Sequence, residues 1–286
     1  MKKIITIFIV FAFVLNSCND SFLEKYPLTS LVEETAFESY DNFKAYMYPL
    51  YDMFTTNLIL TNYSGVFGSD SHYLGDFYAG YVEKKGTSDM NPYAWQTVPE
   101  STTGNGWDFT RIRRVNIMLS HIDACKAMTE AEKNHWKAVG YFFHSFWYMM
   151  LINRFGDVPW VEQVFDETSE DAYGERMPRK EVADKVLERL KWAEENIGNF
   201  ASKDGDNAIT QNVIRAALSR FTLREGTWRK YHNLGDFDKY FTECARVSQL
   251  LMTSYPALYN GTDGQPAAGY GEMWTTEDLG KVPGVI

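Results

Sequence analysis

Little in this sequence supports covalent chemistry. Its three cysteines, Cys18, Cys125 and Cys244, include no pair at metal-finger spacing. The five histidines, His72, His121, His135, His144 and His232, are scattered. There is no HExxH, no G-x-S-x-G and no Gly-Lys-Ser/Thr phosphate cradle, so no catalytic residue, metal or cofactor is expected. Positive charge is also scarce: 28 Lys and Arg stand against 38 Asp and Glu, a net −10. An acidic chain repels phosphate backbones, which excludes nucleic acid as a partner and favours neutral ligands. The apolar run Ile4 to Leu15 falls short of the roughly 18 residues a membrane-spanning helix needs.

That run instead reads as the core of a secretion signal, preceded by Lys2-Lys3 and followed by Leu15-Asn16-Ser17-Cys18. Two outcomes fit. One is an ordinary signal peptide cut near Ser17, with Cys18 incidental. The other is a lipoprotein signal spanning 1–17, because a small residue before a Cys resembles the bacterial lipobox, where the Cys is diacylated and becomes the new N-terminus. Several acyl chains at about 0.8 kcal/mol per buried methylene hold a protein stably on a membrane that it does not span. Cys125 and Cys244 occupy helical apolar positions and read as buried free thiols.

The remaining 18–286 reads as one domain, with 45% hydrophobic and 16% aromatic residues overall. Much of that aromatic content lies between Trp136 and Trp160. Trp136, Val139, Gly140, Phe143, Phe146, Trp147, Met150 and Leu151 follow helical spacing, and Tyr141, Phe142, Tyr148, Met149 and Ile152 add a second face. A nearly enclosed helix is expected over Glu130 to Arg154. Thr129 and Glu132 form its capping box, Gly156 ends it and Pro159 blocks its resumption.

Further helices are expected over Ser39–Phe54, kinked at Pro49, over Trp107–Cys125 with Phe109, Ile112, Val115, Leu119 and Ile122 inward, and over Arg179–Ile197. Thr210 caps another, with Ile209 stapled to Ile214 and a face of Ile214, Ala217, Leu218, Phe221 and Trp228. Asp236 caps the next, whose face runs through Phe237, Tyr240, Phe241, Cys244, Val247, Ser248 and Leu251. Val161–Met177 reads as a polar excursion, and the stretch from Tyr255 onward as loop-rich. Glu194-Glu195 and Glu33-Glu34 read as solvent-facing pairs, and neighbouring helical carboxylates do not converge on one substrate. The fold class is all-α, built from tetratricopeptide-like helical hairpins with long irregular loops.

Phe155-Gly156-Asp157-Val158-Pro159 and the aromatic helix before it resemble the SusD/RagB family of surface glycan-binding lipoproteins. So do Ser21-Phe22-Leu23-Glu24-Lys25-Tyr26-Pro27, Gly68-Ser69-Asp70-Ser71, and Trp107, Ile112 and Asn116. His144-Ser145 departs from the family's usual Arg-Ala and reads as a packing change, with His144 a hydrogen-bonded core residue. Asp157 reads as bonding backbone N–H groups within its own turn. The resemblance covers about the N-terminal half of a usual member, so a truncated chain is expected. It implies an outer-membrane, lipid-anchored protein that captures oligosaccharide or polysaccharide for a SusC-like TonB-dependent transporter, without cleaving it.

The candidate glycan site lies in Asn57–Gly106, a stretch with no helical period that is rich in Gly and aromatics. Sugar C–H faces pack on aromatic rings while hydroxyls bond amides, and Asn91, Tyr93, Trp95 and Gln96 offer that mixture around Pro92. The competing role for Tyr93 and Trp95 is to pack the loop onto the helices. Two other functions fit the same composition: a secreted helical glycoside hydrolase or lyase, and a helical-repeat scaffold that binds only protein.

Overall fold

The computed structural model describes residues 36–55 and 106–276, apart from 167, 206, 262, 263 and 265, together with 282 and 284. Cys18, Asn91, Tyr93, Trp95 and Gln96 lie outside the described residues, as do the expected signal segment and Glu33-Glu34. Seven helices carry the described fold: α1 Tyr40–Met47, α2 Thr110–His121, α3 Glu130–Phe155, α4 Arg179–Asn196, α5 Gln211–Tyr231, α6 Asp238–Ser254 and α7 Pro266–Thr275. Single-turn helices at Asp52–Thr55 and Ala201–Asp204 accompany them. Among the described residues the only β pairing is one antiparallel bridge, Val158 to Met177. None of the described helices is long and apolar enough to cross a membrane.

Consecutive helices α1 to α6 pack side by side. The contacts fix the directions. Trp147 of α3 reaches Asp108 just before α2, while Gly140 lies against Met118 and Leu119 at the far end of α2. Tyr141 of α3 meets Trp192 of α4, and His135 reaches Gly198 beyond the end of α4. Glu194 of α4 pairs with Arg215 near the start of α5, and Arg179 with Glu225 near its end. Ser219 and Ser248 join α5 to α6 across 2.8 Å. Each neighbour is therefore antiparallel, which is the hairpin array expected from the sequence.

The central helix forms where the capping box places it. Thr129 Oγ1 accepts the Glu132 N–H at 3.3 Å, and Glu132 Oε2 accepts the Thr129 N–H at 2.8 Å. Gly156 closes the helix at φ 73°, a left-handed backbone that a side chain would strain. Trp136, Val139, Phe142, Phe143, Trp147, Tyr148, Leu151 and Ile152 are all buried, so both apolar faces are enclosed. Pro49 turns the chain into a 3-10 segment at Tyr48–Tyr51, and Phe43, Met47 and Leu50 still reach the core. Thr210 caps α5 by accepting the Val213 N–H, with Ile209 and Ile214 both buried.

Glu132 gives the capping box a pH signature. The Lys203 ammonium, followed by the Thr129 N–H and hydroxyl, holds its carboxyl down at about 2 against the usual 4.5. A depressed carboxyl contributes stability that is full above pH 4.5 and is lost as pH falls towards 2. Because Lys203 is 46% exposed, the contribution is discounted to about 1–2 kcal/mol. Glu132→Gln keeps a capping side chain without the charge. Urea titrations from pH 7 to pH 2 should therefore show a less stable variant at neutral pH and a shallower fall on acidification.

Several expectations are corrected. Asp236 does not cap α6: it sits at φ 46°, its carboxylate faces Arg229, and Phe237 is the residue before the helix. Glu194 is buried between Arg215 and Arg246 rather than solvent-facing. Trp228 is 40% exposed, and its ring stacks on His232 at 3.8 Å instead of joining the core. Cys125 is buried as expected, but Cys244 is half-buried, its thiol donating to the Ser219 carbonyl at 3.4 Å. On α2, Met118 is buried and Leu119 only half-buried. Within the loop-rich stretch after Tyr255, α7 forms at Pro266–Thr275. Gly269 makes α7 possible, because a Cβ on it would lie 2.3 Å from the Gly261 nitrogen.

Candidate functional site

Three places gather polar or aromatic side chains. The first is a charge cluster around Arg229, which is fully buried. Its guanidinium donates to Glu225 (2.8 Å), to both oxygens of Asp236 (2.9 Å), to Asp184 (3.0 Å) and to the Lys180 carbonyl (2.8 Å). Tyr240 donates to Asp184 at 2.6 Å, and Lys239 reaches the same oxygen at 2.7 Å. Burial pushes the Asp184 carboxyl up, but hydrogen bonds from Lys239 and Tyr240 and the Arg229 charge outweigh it and hold the group below its usual range. Asp236 is lowered in the same way, burial being outweighed by Arg229 and Lys239. Carboxylates held ionised against a guanidinium make poor general acids, so the cluster is a tie between α4, α5 and α6.

Sequence reasoning passed over this cluster. Its signal was present: Glu225 and Arg229 continue the α5 stripe of Ile214, Leu218 and Phe221 at helical spacing. Charged residues in line with an apolar stripe mark a buried pair.

The second place is a cleft of about 420 Å³ beside the start of α2, lined by Trp107, Phe109, Thr110, Ile112 and Arg113 on one side and by Pro159, Val161, Gln163 and Phe165 on the other. Asp108 organises the α2 side. Its carboxylate accepts the Thr110 N–H at 2.9 Å and hydroxyl at 2.6 Å, and its carbonyl accepts the Trp147 indole N–H at 2.8 Å. Trp107 is held edge-on to Phe109 and Phe155, with the Arg176 guanidinium 4.6 Å from its ring centre. Trp107, Phe109 and Phe165 remain half-exposed.

The facing wall, expected only as a polar excursion, is a pinned strap. Asn116 donates to the Val161 and Gln163 carbonyls at 3.1 Å, and Arg113 to that of Phe165 at 2.7 Å. Tyr148 accepts the Val161 N–H at 2.8 Å and donates to the Pro159 carbonyl at 2.9 Å. His144 is the hydrogen-bonded core residue expected: its Nε2–H donates to the Val161 carbonyl at 2.9 Å. Burial, then the nearby Arg189 charge, pushes its pKa well down, so it stays neutral. Asp157 does bond a backbone N–H, but not within its own turn. It accepts from Arg179 at 2.7 Å, the first residue of α4, and so ties the turn after α3 to the next helix.

The third place is a cleft of about 400 Å³ near the start of α3, lined by His135, the 197–205 connection and the first turns of α5. Among the described residues no three His, Cys, Asp or Glu side chains are grouped to hold a metal ion.

A family model described as starch-binding associating with outer membrane matches residues 21–223. The chain belongs to the SusD-like family. Solved SusD-like structures share the fold at low identity. A SusD-like protein from Bacteroides fragilis NCTC 9343 superposes with TM-score 0.58 at 19% identity, over 88% of this chain and 45% of that one. A SusD-like carbohydrate binding protein from Bacteroides vulgatus ATCC 8482 gives 0.54 at 16%, over 78% and 46%. A SusD superfamily protein from the same strain gives 0.51 at 14%, over 80% and 47%. The chain thus spans about half the length of these structures. No curated protein matches it. The family model is described by starch binding at the outer membrane, and the first Bacteroides vulgatus relative is named a carbohydrate binding protein.

Proposed function

We propose that this SusD-like protein is a non-catalytic, cell-surface glycan-binding lipoprotein. It is anchored in the outer membrane through acylated Cys18. It captures neutral oligosaccharide or polysaccharide and delivers it to a SusC-like TonB-dependent transporter. The match of residues 21–223 to the family model carries this reading. The cleft at Trp107 supports it by its chemistry: half-exposed rings for sugar C–H faces stand beside Arg113 and Gln163 for hydroxyls.

The capture surface is proposed to extend from that cleft to Asn91, Tyr93, Trp95 and Gln96, which precede Trp107 in the chain by 11 to 16 residues. Neutral glycan is favoured because the chain carries net charge −10.

The test is a pair of variants, Trp95→Ala and Trp107→Ala, measured for retention on polysaccharide affinity gels alongside their thermal transitions. Each should weaken retention about tenfold, equivalent to about 1.4 kcal/mol, while the protein stays folded. Unchanged retention in both would remove this surface from glycan capture.

A further inference from the structure

We propose that the cleft near the start of α3 is a second, separate saccharide-binding site, sized for one or two sugar rings. It goes beyond the function proposed above, and its ligand class is taken from its own lining. The volume, about 400 Å³, lies within the range of small-ligand pockets. It is also remote from the first cleft. His135 lines one, Phe155 touches Trp107 of the other, and the stretch of α3 between them spans roughly 30 Å at about 1.5 Å per residue.

The walls are held before any ligand arrives. Asp204 accepts the Tyr40 hydroxyl at 2.6 Å and faces His135 Nε2 at 3.1 Å, while His135 Nδ1 faces the Gly198 carbonyl at 3.2 Å. Lys203 pairs with Glu132, and its carbonyl accepts Lys44. The Ile209 N–H donates to the Tyr51 hydroxyl at 3.2 Å. The 198–209 connection is thus pegged to α1, α3 and the turn after α1. A prearranged site loses little entropy on binding.

The lining selects against ions. Its charged groups are already engaged: Asp204 accepts the Tyr40 hydroxyl and faces His135, and Arg215 pairs with Glu194 at 2.7 Å. What faces a ligand is neutral and keeps hydrogen-bonding capacity beyond its local bonds: the Asn199 amide N–H groups, the Gln211 amide oxygen while its nitrogen donates to the Glu194 carbonyl at 3.0 Å, and the Thr210 hydroxyl proton while its oxygen caps α5, with Ile197 and Phe200 as apolar surface. Amides offer both donors and acceptors, which suits a ligand that is itself both at every hydroxyl. A neutral polyhydroxylated ring with an apolar face meets these requirements. A phosphate or carboxylate finds no unpaired cation.

Amide hydrogen exchange on the full chain, with and without millimolar neutral disaccharides and hexasaccharides of glucose and xylose, tests this. The expected result is slowed exchange across 199–212 as well as around 107–113 and 159–165. Asn199→Ala/Gln211→Ala, two exposed rim positions, should weaken the 199–212 response about tenfold and leave the other response intact. Protection confined to 107–113 and 159–165 would overturn the second site and leave the proposed function standing. Protection confined to 199–212 would keep this site and remove the first cleft from glycan capture. Protection nowhere would overturn both, and displacement of sugar from 199–212 by inorganic phosphate would overturn the assigned ligand class.

Discussion

Arg229→Ala is expected to destabilise the protein by about 3–5 kcal/mol, the usual result of removing one partner from a buried ionic cluster. The size follows from what stays behind. Asp184 and Asp236 are about one-third exposed and can rehydrate, but the Glu225 side chain is 1% exposed. It would keep Arg179 at 2.9 Å and lose the Arg229 contact at 2.8 Å. The loss falls on three helices at once, since the guanidinium also holds the Lys180 carbonyl at the start of α4 and touches the Tyr240 hydroxyl of α6 at 2.9 Å. A double variant, Arg229→Met with Glu225→Gln, removes both charges and should recover most of the loss. Urea denaturation at pH 7 measures both. A loss below about 1 kcal/mol for Arg229→Ala, within the range of surface ion pairs, would show that the cluster does not tie α4, α5 and α6 together.

Trp147→Ala is expected to cost about 3–5 kcal/mol, the range for a buried aromatic truncated to alanine. Trp147 is 2% exposed at the seam between α2 and α3, with the Arg111 guanidinium 4.5 Å from its ring centre. The substitution also removes the indole N–H from the Asp108 carbonyl. That carbonyl sits between Trp107 and Phe109, so glycan retention at the first cleft should fall with stability. Trp147→Phe separates the two effects. It keeps most of the packing and loses the hydrogen bond, a cost of about 1–3 kcal/mol for the unsatisfied carbonyl. Equilibrium unfolding and affinity-gel retention on the same preparations give both quantities.

Residues whose environment is set by their own helix were legible in the sequence. Thr129 and Glu132 meet within one turn, Gly156 terminates by its own backbone, and the apolar period of α3 fixes both faces of a largely buried helix. Residues whose environment depends on distant partners were not. Arg229 and Glu194 carry charge; beside Glu225 and Arg215, their burial draws on Asp184, 45 residues away from Arg229, and on Arg246, 52 residues away from Glu194. Asp236 has the residue type of a cap, and the guanidinium of Arg229, seven residues before it, claims it instead. Pro266, Gly269 and Gly271 lie in the stretch that reads as loop-rich, and helix propensity penalises glycine. Yet Gly269 is there because α7 passes close to the Asn260–Gly261 backbone.

The first cleft was half legible. Trp107 and Asn116 stood out through the family resemblance, but the wall facing Trp107 did not, because Val161, Gln163 and Phe165 have no period. Side-chain bonds from Asn116, Arg113 and Tyr148 hold that wall, and no local pattern in 161–165 encodes them. The remaining candidate residues, Asn91, Tyr93, Trp95 and Gln96, fall outside the described residues, and their proposed part rests on residue chemistry and on the aromatic stretch they share with the chain leading to Trp107.

The most direct test of the account is native affinity electrophoresis of the chain lacking residues 1–18 through gels cast with neutral polysaccharides, including starch, a mixed-linkage glucan and a xylan. Reducing ends are assayed on the same protein after prolonged incubation with each. The account predicts retarded migration in at least one gel and no release of reducing ends from any polysaccharide. Free migration through every gel, or steady release of reducing ends by protein free of contaminating activity, would contradict it.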